Sequence, residues 1–349
     1  MSLEKSKNTG TGPSDDTTYA ISAQDVHITY EDGTEAVQGL SLEVERGEFF
    51  GFLGPNGAGK TTTIKSLVTL LHPTQGAIQV EGFDTVEDPL AVRESVGYMA
   101  QETSIDRELT PRENLRLACE LYGVSKSERA DRIEKLLDLV DLQDVADERS
   151  EKFSGGMKKR LDAATVLVHR PPVVFLDEPT TGLDPEARRR LWDYFKRINE
   201  EGTTVFLTTQ YLEEADHLCD RLSLIQDGQV VATGAPETLK SSVGGDLFEV
   251  TLADPSKSRT ERAIRAVRKL DQFAEASFET TENGFTVRTE RDSETTSEFF
   301  AALNGANITV TDFNIQSPTL DDVFLALTAD ESADVASGTV TESAPEVSL

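Results

Sequence analysis

Eight consecutive residues, Gly54-Pro55-Asn56-Gly57-Ala58-Gly59-Lys60-Thr61, have the composition and spacing of a loop that holds phosphate oxygens. Glycines let backbone N–H groups turn inward around an anion. Lys60 supplies a point charge at the end of a phosphate chain, and Thr61 offers a hydroxyl to Mg²⁺. The run FFGFLG (49–54) before the loop reads as a strand and TTTIKSLVTLL after it as a helix. That helix, which carries Thr62 in its first turn, would point its positive dipole end at the anion. A glycine turn that merely contains a lysine is the alternative. A second run, Val173-Val174-Phe175-Leu176-Asp177-Glu178, places two carboxylates at the end of four apolar residues. Asp177 would hold Mg²⁺, and Glu178 would polarise a water as general base. Alone, such a pair also suits a helix cap or a solvated turn. Downstream of the phosphate loop, it points to phosphoryl transfer to water.

The elements that must carry these residues follow from the pattern of the chain. Residues 20–243 read as strands alternating with helices, which implies an α/β fold with a largely parallel sheet. The Val243-Gly244-Gly245 stretch marks a boundary. After it, LFEVTL (247–252), RTERAIRAVRKL (259–270), two strand candidates near 274–290, SEFFAALNGAN (297–307) and ITVTDFNI (308–315) give the order βαββαβ. That order fits a small ferredoxin-like α+β domain over 246–329. Thr319, after Pro318, reads as the N-cap of a last helix over 321–328. Residues 1–18 and the acidic tail 330–349 have the composition of disordered chain.

Composition excludes several functions. The 349 residues, 37% of them apolar, suffice for about two domains with buried cores. No run is long and apolar enough to span a bilayer, and the N-terminus lacks the apolar segment of a secretory signal. The expected location is the cytosol, or a membrane surface reached through a partner. Cys119 and Cys219 are far apart and read as free thiols. With 34 basic against 63 acidic residues and a net charge of −29, the chain lacks the basic footprint of a nucleic-acid binder.

Further motifs carry a family resemblance. Phe153-Ser154-Gly155-Gly156-Met157 resembles the signature motif of ATP-binding-cassette (ABC) ATPases, Thr180-Thr181-Gly182-Leu183-Asp184-Pro185 resembles their D-loop, and Gln101, after Val96-Gly97-Tyr98-Met99-Ala100, resembles their Q-loop. Tyr30 stands where the family has an aromatic that stacks on adenine. The ordered set spans residues 22 to about 240. The resemblance implies an ABC ATPase fold with a helical subdomain at about 102–165, which uses ATP and Mg²⁺. It further implies two such domains sandwiching two ATP molecules head to tail. Nucleotide contacts would come from Tyr30, the loop Gly54–Thr62, Gln101, Asp184 and the helix start Ser154-Gly155-Gly156. A plain serine N-cap is the alternative for Ser154. Thr61, Asp177 and Gln101 would serve the metal, and Lys60, Glu178 and Gln210 the chemistry.

Two departures from the pattern bear on mechanism. Phe153 and Met157 replace the usual Leu and Gln of the signature, and Gln210 stands where the family usually has His. Thr208-Thr209-Gln210-Tyr211, followed by Glu213-Glu214-Ala215-Asp216, resembles the antibiotic-exporter ATPases of the daunorubicin-resistance type, as does Ser317–Phe324. That subset implies a subunit that powers an exporter through a separate integral-membrane permease of the ABC-2 type. It would be peripheral on the cytoplasmic face of the cell membrane. The segment Glu102–Leu121, with Leu109, Pro111 and Leu115, is the expected permease contact. A soluble non-transport ABC ATPase and a weakly hydrolysing regulatory module are the competing readings. The intact Lys60, Asp177 and Glu178 weigh against the second. The acidic excess, with 13 Lys against 21 Arg, suggests a salt-adapted cytosol, an ordinary acidic protein being the alternative. Salt adaptation predicts a thermal midpoint that rises steeply across a salt series; full stability at low salt would leave only the alternative.

Overall fold

In the computed structural model, residues 18–274, 276–289 and 296–327 are described. The N-terminal stretch before Thr18 and the tail 330–349 lie outside them. The apolar runs become strands buried on both faces. A six-stranded sheet has the order Gln229–Gly234, Arg221–Gln226, Phe49–Leu53, Thr204–Thr209, Val173–Asp177, Val96–Met99. All its pairs are parallel except the first. Its register is level at one edge: Leu53 lies opposite Thr209, Asp177 opposite Thr208, and Met99 opposite Leu176. The four segments that follow these strand ends are the phosphate loop, Gln210, Glu178 and Gln101. In open α/β sheets this carboxyl edge is where ligands bind. Phe206, on the middle strand, sets its ring 5.6 Å from Phe50, 5.7 Å from Phe52 and 5.6 Å from Phe175. All four are fully buried. Removing such a ring costs about 3–5 kcal/mol, so this cluster holds the strands of the site together.

Strand–helix alternation does not extend over the whole first domain. Tyr19–Thr29, Glu35–Glu45, Gln75–Val80 and Phe83–Asp84 form a separate antiparallel sheet. Its two long strands alternate buried and exposed positions, the pattern of strands covered on one face. Their apolar residues join Phe50, Phe52, Ile64, Phe175 and Phe206 in one core. The helix after the phosphate loop is shorter than the sequence suggests. It runs Lys60–Leu67 and ends as Thr69 turns left-handed at φ 66°.

Helices Pro111–Leu121, Lys126–Leu139 and Gly155–Thr165 build the helical subdomain. The first opens on a reciprocal cap: the Thr110 hydroxyl accepts the Glu113 N–H, and the Glu113 carboxylate accepts the Thr110 N–H. Pro111 and Leu115 are buried, because they form this helix's inward face. The expected partner groove at those residues is therefore corrected. The exposed apolar side chains here are Leu117, Leu121 and Tyr122.

The chain divides into two units, up to Ala235 and from Pro236. The division precedes the Gly-Gly stretch because helix Pro236–Ser242 falls in the second unit. There, Asp246–Leu252, Lys257–Val267, Ser277–Thr281, Gly284–Thr289, Thr296–Gly305 and Val310–Gln316 follow the βαββαβ order. Taken in chain order, the strands lie 2-3-1-4 in one antiparallel sheet, the ferredoxin-like arrangement. Phe248, Phe273, Phe285 and Phe299 centre its own core. The Thr319 hydroxyl accepts the Asp322 N–H and caps a final helix over 320–327. The two cores share no residue. A chain ending at Ala235 is therefore expected to fold and bind ATP; a broad, noncooperative thermal melt of that fragment would disprove the separation.

Candidate functional site

The glycines of the phosphate loop are dictated by close approach and handedness. A Cβ on Gly54 would lie 2.2 Å from the Ile225 carbonyl oxygen, and one on Gly59 2.5 Å from that of Ala36. Gly57 and Gly59 have φ of 86° and 106°, a region that side chains disfavour. Pro55, Asn56 and Gly57 are exposed while Ala58 and Gly59 are buried, so the loop is anchored at its base and open at its rim. Lys60 is 4% exposed. Its Nζ donates to the carbonyls of Gly54 at 2.8 Å and Pro55 at 3.0 Å, and lies 3.3 Å from Glu178 Oε1.

Asp177 and Glu178 leave the strand in different directions. The Thr61 hydroxyl donates to Asp177 Oδ1 at 3.3 Å, and the Thr208 hydroxyl does so at 2.6 Å. This pairs a hydroxyl with a carboxylate at the start of the loop's helix. Two hard oxygen donors of that kind fit Mg²⁺, which takes few protein ligands and keeps much of its water. Glu178 adopts φ 48°, rare for a residue with a side chain. Its N–H donates to the Thr208 carbonyl at 2.9 Å, and its carboxylate turns back to Lys60. Glu178 Oε2 also accepts from Gln101 Nε2 at 3.4 Å and from Thr181 Oγ1 at 3.2 Å. Gln101 thus lies at the Glu178 carboxylate and, among the described residues, makes no bond to the Thr61–Asp177 pair expected to hold the metal.

The other expected site residues fall in two places. Tyr30, 39% exposed, donates or accepts at Thr62 Oγ1 at 2.9 Å, beside the phosphate loop. Gln210 is half-buried and its side chain has no hydrogen-bond partner among the described residues. The helix after it, Leu212–Leu218, begins without a side-chain cap, so Gln210 does not serve as one. Ser154, Gly155, Gly156 and Asp184 assemble elsewhere. Ser154 is exposed and caps helix Gly155–Thr165, its Oγ accepting the Met157 N–H at 3.2 Å. A Cβ on Gly156 would meet Ala187 Cβ at 2.8 Å, and one on Gly155 would lie 3.9 Å from Leu183. Asp184 caps helix Pro185–Glu200 by accepting the Ala187 N–H at 2.9 Å. No hydrogen bond joins this group to residues 54–61 among those described.

Sequence reasoning missed two parts of the site. Thr208 is the closest partner of Asp177; its signal was a threonine pair after the apolar run Val205–Leu207. The other part ties the signature helix to the segment after Gln101. Buried Lys159 donates to the Gln101 carbonyl at 2.6 Å, and Asp162 accepts from the Ser104 hydroxyl at 2.6 Å and N–H at 3.1 Å. Burial lowers the pKa of Lys159 and raises that of Asp162. The paired segments are too distant in sequence for any spacing to announce them.

This sheet edge, loop and carboxylate pair define the ATP-hydrolysing domain of an ATP-binding cassette. The family described as "ABC transporter" matches residues 37–181, and that described as "ATP-binding protein DrrA1-3-like, C-terminal domain" matches 234–328. The chain is 40% identical over 321 residues to the daunorubicin resistance ATP-binding protein DrrA3 of Streptomyces coeruleorubidus, covering 89% of this chain and 96% of that one. It is 39% identical over 315 residues to the daunorubicin/doxorubicin resistance protein DrrA of Streptomyces peucetius, covering 86% and 90%. Among solved structures, an ATP-binding subunit of an ABC transporter superposes with TM-score 0.58 at 30% identity, over 64% of this chain and 92% of that one. The dimeric cassette MJ0796 bound to ADP and Pi gives 0.57 at 26%, over 62% and 98%. The chain belongs to the ABC-transporter ATP-binding proteins of the daunorubicin-resistance type, and is an ATPase.

The geometry assigns work within that activity. Lys60 and the loop amides lie where they would neutralise a phosphate chain. Glu178, held by Lys60, Gln101 and Thr181, can take a proton from water. Glu178→Gln is expected to lower turnover at least about a hundredfold with nucleotide still bound, because an amide is a poor base. Lys60→Ala should abolish tight ATP binding. Gln210→Ala should cost roughly tenfold in turnover and Gln210→His little, since either side chain can orient water. Steady-state ATPase rates beside nucleotide affinity check all four.

Proposed function

We propose that this subunit works as a head-to-tail dimer in which two ATP molecules, each with Mg²⁺, lie between the phosphate loop of one copy and Ser154-Gly155-Gly156 of the other. It powers export through a separate ABC-2 type permease at the cytoplasmic face of the membrane. The observation that carries the reading is the placing of the two anion-binding parts. The loop at residues 54–61 lies with the base and metal ligands, while the helix start that would cradle the γ-phosphate is exposed and unconnected to it. Each copy thus holds half of two sites, an arrangement that an isologous pair completes. The ABC-transporter family of the chain supports the permease, and among the described residues no helix is long and apolar enough to cross a membrane. Leu117, Leu121 and Tyr122 are the apolar side chains available for it. Thr61 and Asp177 would hold Mg²⁺.

Glu178→Gln with ATP should sediment as a dimer, and adding Ser154→Arg to it should return monomers. A Glu178→Gln chain that stays monomeric at saturating ATP would refute the sandwich. Crosslinks from position 117 or 121 should capture an integral-membrane protein; capture only from other faces would remove this surface from the proposal.

A further inference from the structure

One buried carboxylate has no part in the chemistry described so far. Helix Pro185–Glu200 follows Asp184, and helix Leu212–Leu218 follows Gln210. Trp192 on the first and Glu214 on the second are buried, and the indole Nε1 donates to Glu214 Oε1 at 2.8 Å. Glu214 is wholly shut from solvent, a costly place for a carboxyl group, and its bond of full geometry is the one from the indole. Its Oε2 closes no hydrogen bond of good geometry, and neither do the buried Thr180 hydroxyl and Arg188 Nε beside it. Burial raises the pKa of Glu214. The Thr209 hydroxyl, the indole, the Thr180 hydroxyl and the Arg188 charge all face it and oppose that rise.

These neighbours belong to both catalytic segments. Thr180 lies two residues beyond Glu178, and Thr209 immediately precedes Gln210. Arg188, one turn into the helix after Asp184, sets its guanidinium 4.6 Å from the ring centre of Tyr211. The Tyr211 N–H donates to Thr209 Oγ1 at 3.0 Å, and the Glu214 N–H to the Tyr211 carbonyl at 3.1 Å. Unmet donors in the same cluster as an unmet acceptor, all kept from water, make a state that a small closing motion relieves.

We propose that Glu214 and Trp192 are a positioning pair. They fix the loop carrying Gln210 against the segment Glu178–Asp184, and Glu214 Oε2 takes the Thr180 hydroxyl when the site closes on nucleotide. The inference rests on Glu178 and Gln210 acting at the attacking water.

Trp192 is the chain's one tryptophan, so its emission reports its partner's state directly. In the full chain, MgATP should shift that emission, and Thr180→Val should lose the shift while ATP affinity stays within about twofold. Glu214→Gln keeps an acceptor for the indole but removes the charge. It, Trp192→Phe and Thr180→Val should each lower kcat roughly tenfold, the worth of one charge-assisted hydrogen bond, with KM changed less than about twofold. In a Gln210→Ala background each loss should shrink to less than about threefold, because the pair acts through Gln210. If Glu214→Gln does not fold, Thr180→Val alone carries the test. Wild-type kcat in the folded variants, or losses that simply multiply with Gln210→Ala, would overturn the proposal. Glu178→Gln, run in parallel, separates the failures. Its being active would undo the reading of the site itself; its being inactive beside unaffected Glu214 and Thr180 variants would undo only the pair's role.

Discussion

The register of four parallel strands is the constraint on which the site depends. Phe49–Leu53, Thr204–Thr209, Val173–Asp177 and Val96–Met99 end level with one another, and each hands over at that edge to a segment that carries chemistry. A parallel ladder slipped by one residue would reverse which faces its side chains meet. The Phe50, Phe52, Phe175 and Phe206 cluster opposes such a slip by filling the core from three adjacent strands. The placing of Lys60 and Glu178 is thus secured well below the site, in apolar packing.

Chemistry written in contiguous residues was legible in the sequence. The phosphate loop, the carboxylate pair and the signature each fall within eight residues, and their neighbours announce a strand or a helix by apolar run length alone. The βαββαβ order of the second unit was legible for the same reason. What escaped depends on partners far apart in the chain. Thr208 and Asp177 meet only because two strands pair, and Lys159 reaches Gln101 only because a helix packs across the chain. The antiparallel sheet built on Tyr19–Thr29 and Glu35–Glu45 was hidden by its half-polar alternation, which a reading tuned to wholly apolar strands passes over. Pro111 and Leu115 were misassigned to an open groove because one helix face gives no sign of what covers it.

The link from Lys159 and Asp162 to residues 101–104 gives the helical subdomain a mechanical consequence. The helix beginning at Ser154 cannot move far without carrying the Gln101 backbone, and the Gln101 amide reaches Glu178. A displacement at the signature would thereby be felt at Glu178 through bonds anchored on the buried Lys159 and Asp162. Desolvation makes such bonds costly to leave open, so the helix and the segment after Gln101 tend to travel together.

The left-handed backbone of Glu178 carries a different lesson, about inheritance. A conformation of this kind costs about 1–3 kcal/mol with a side chain and next to nothing with glycine. The backbone alone would therefore favour glycine or asparagine at this position, while the carboxylate's contacts with Lys60, Gln101 and Thr181 favour glutamate. Descendants of this gene relieved of hydrolysis, whether by pairing with an active sister subunit or by taking on a scaffolding role, would shed that strain by losing the side chain, but would leave the buried Lys60 charge without its carboxylate. Position 178 is where such a lineage would first record the change.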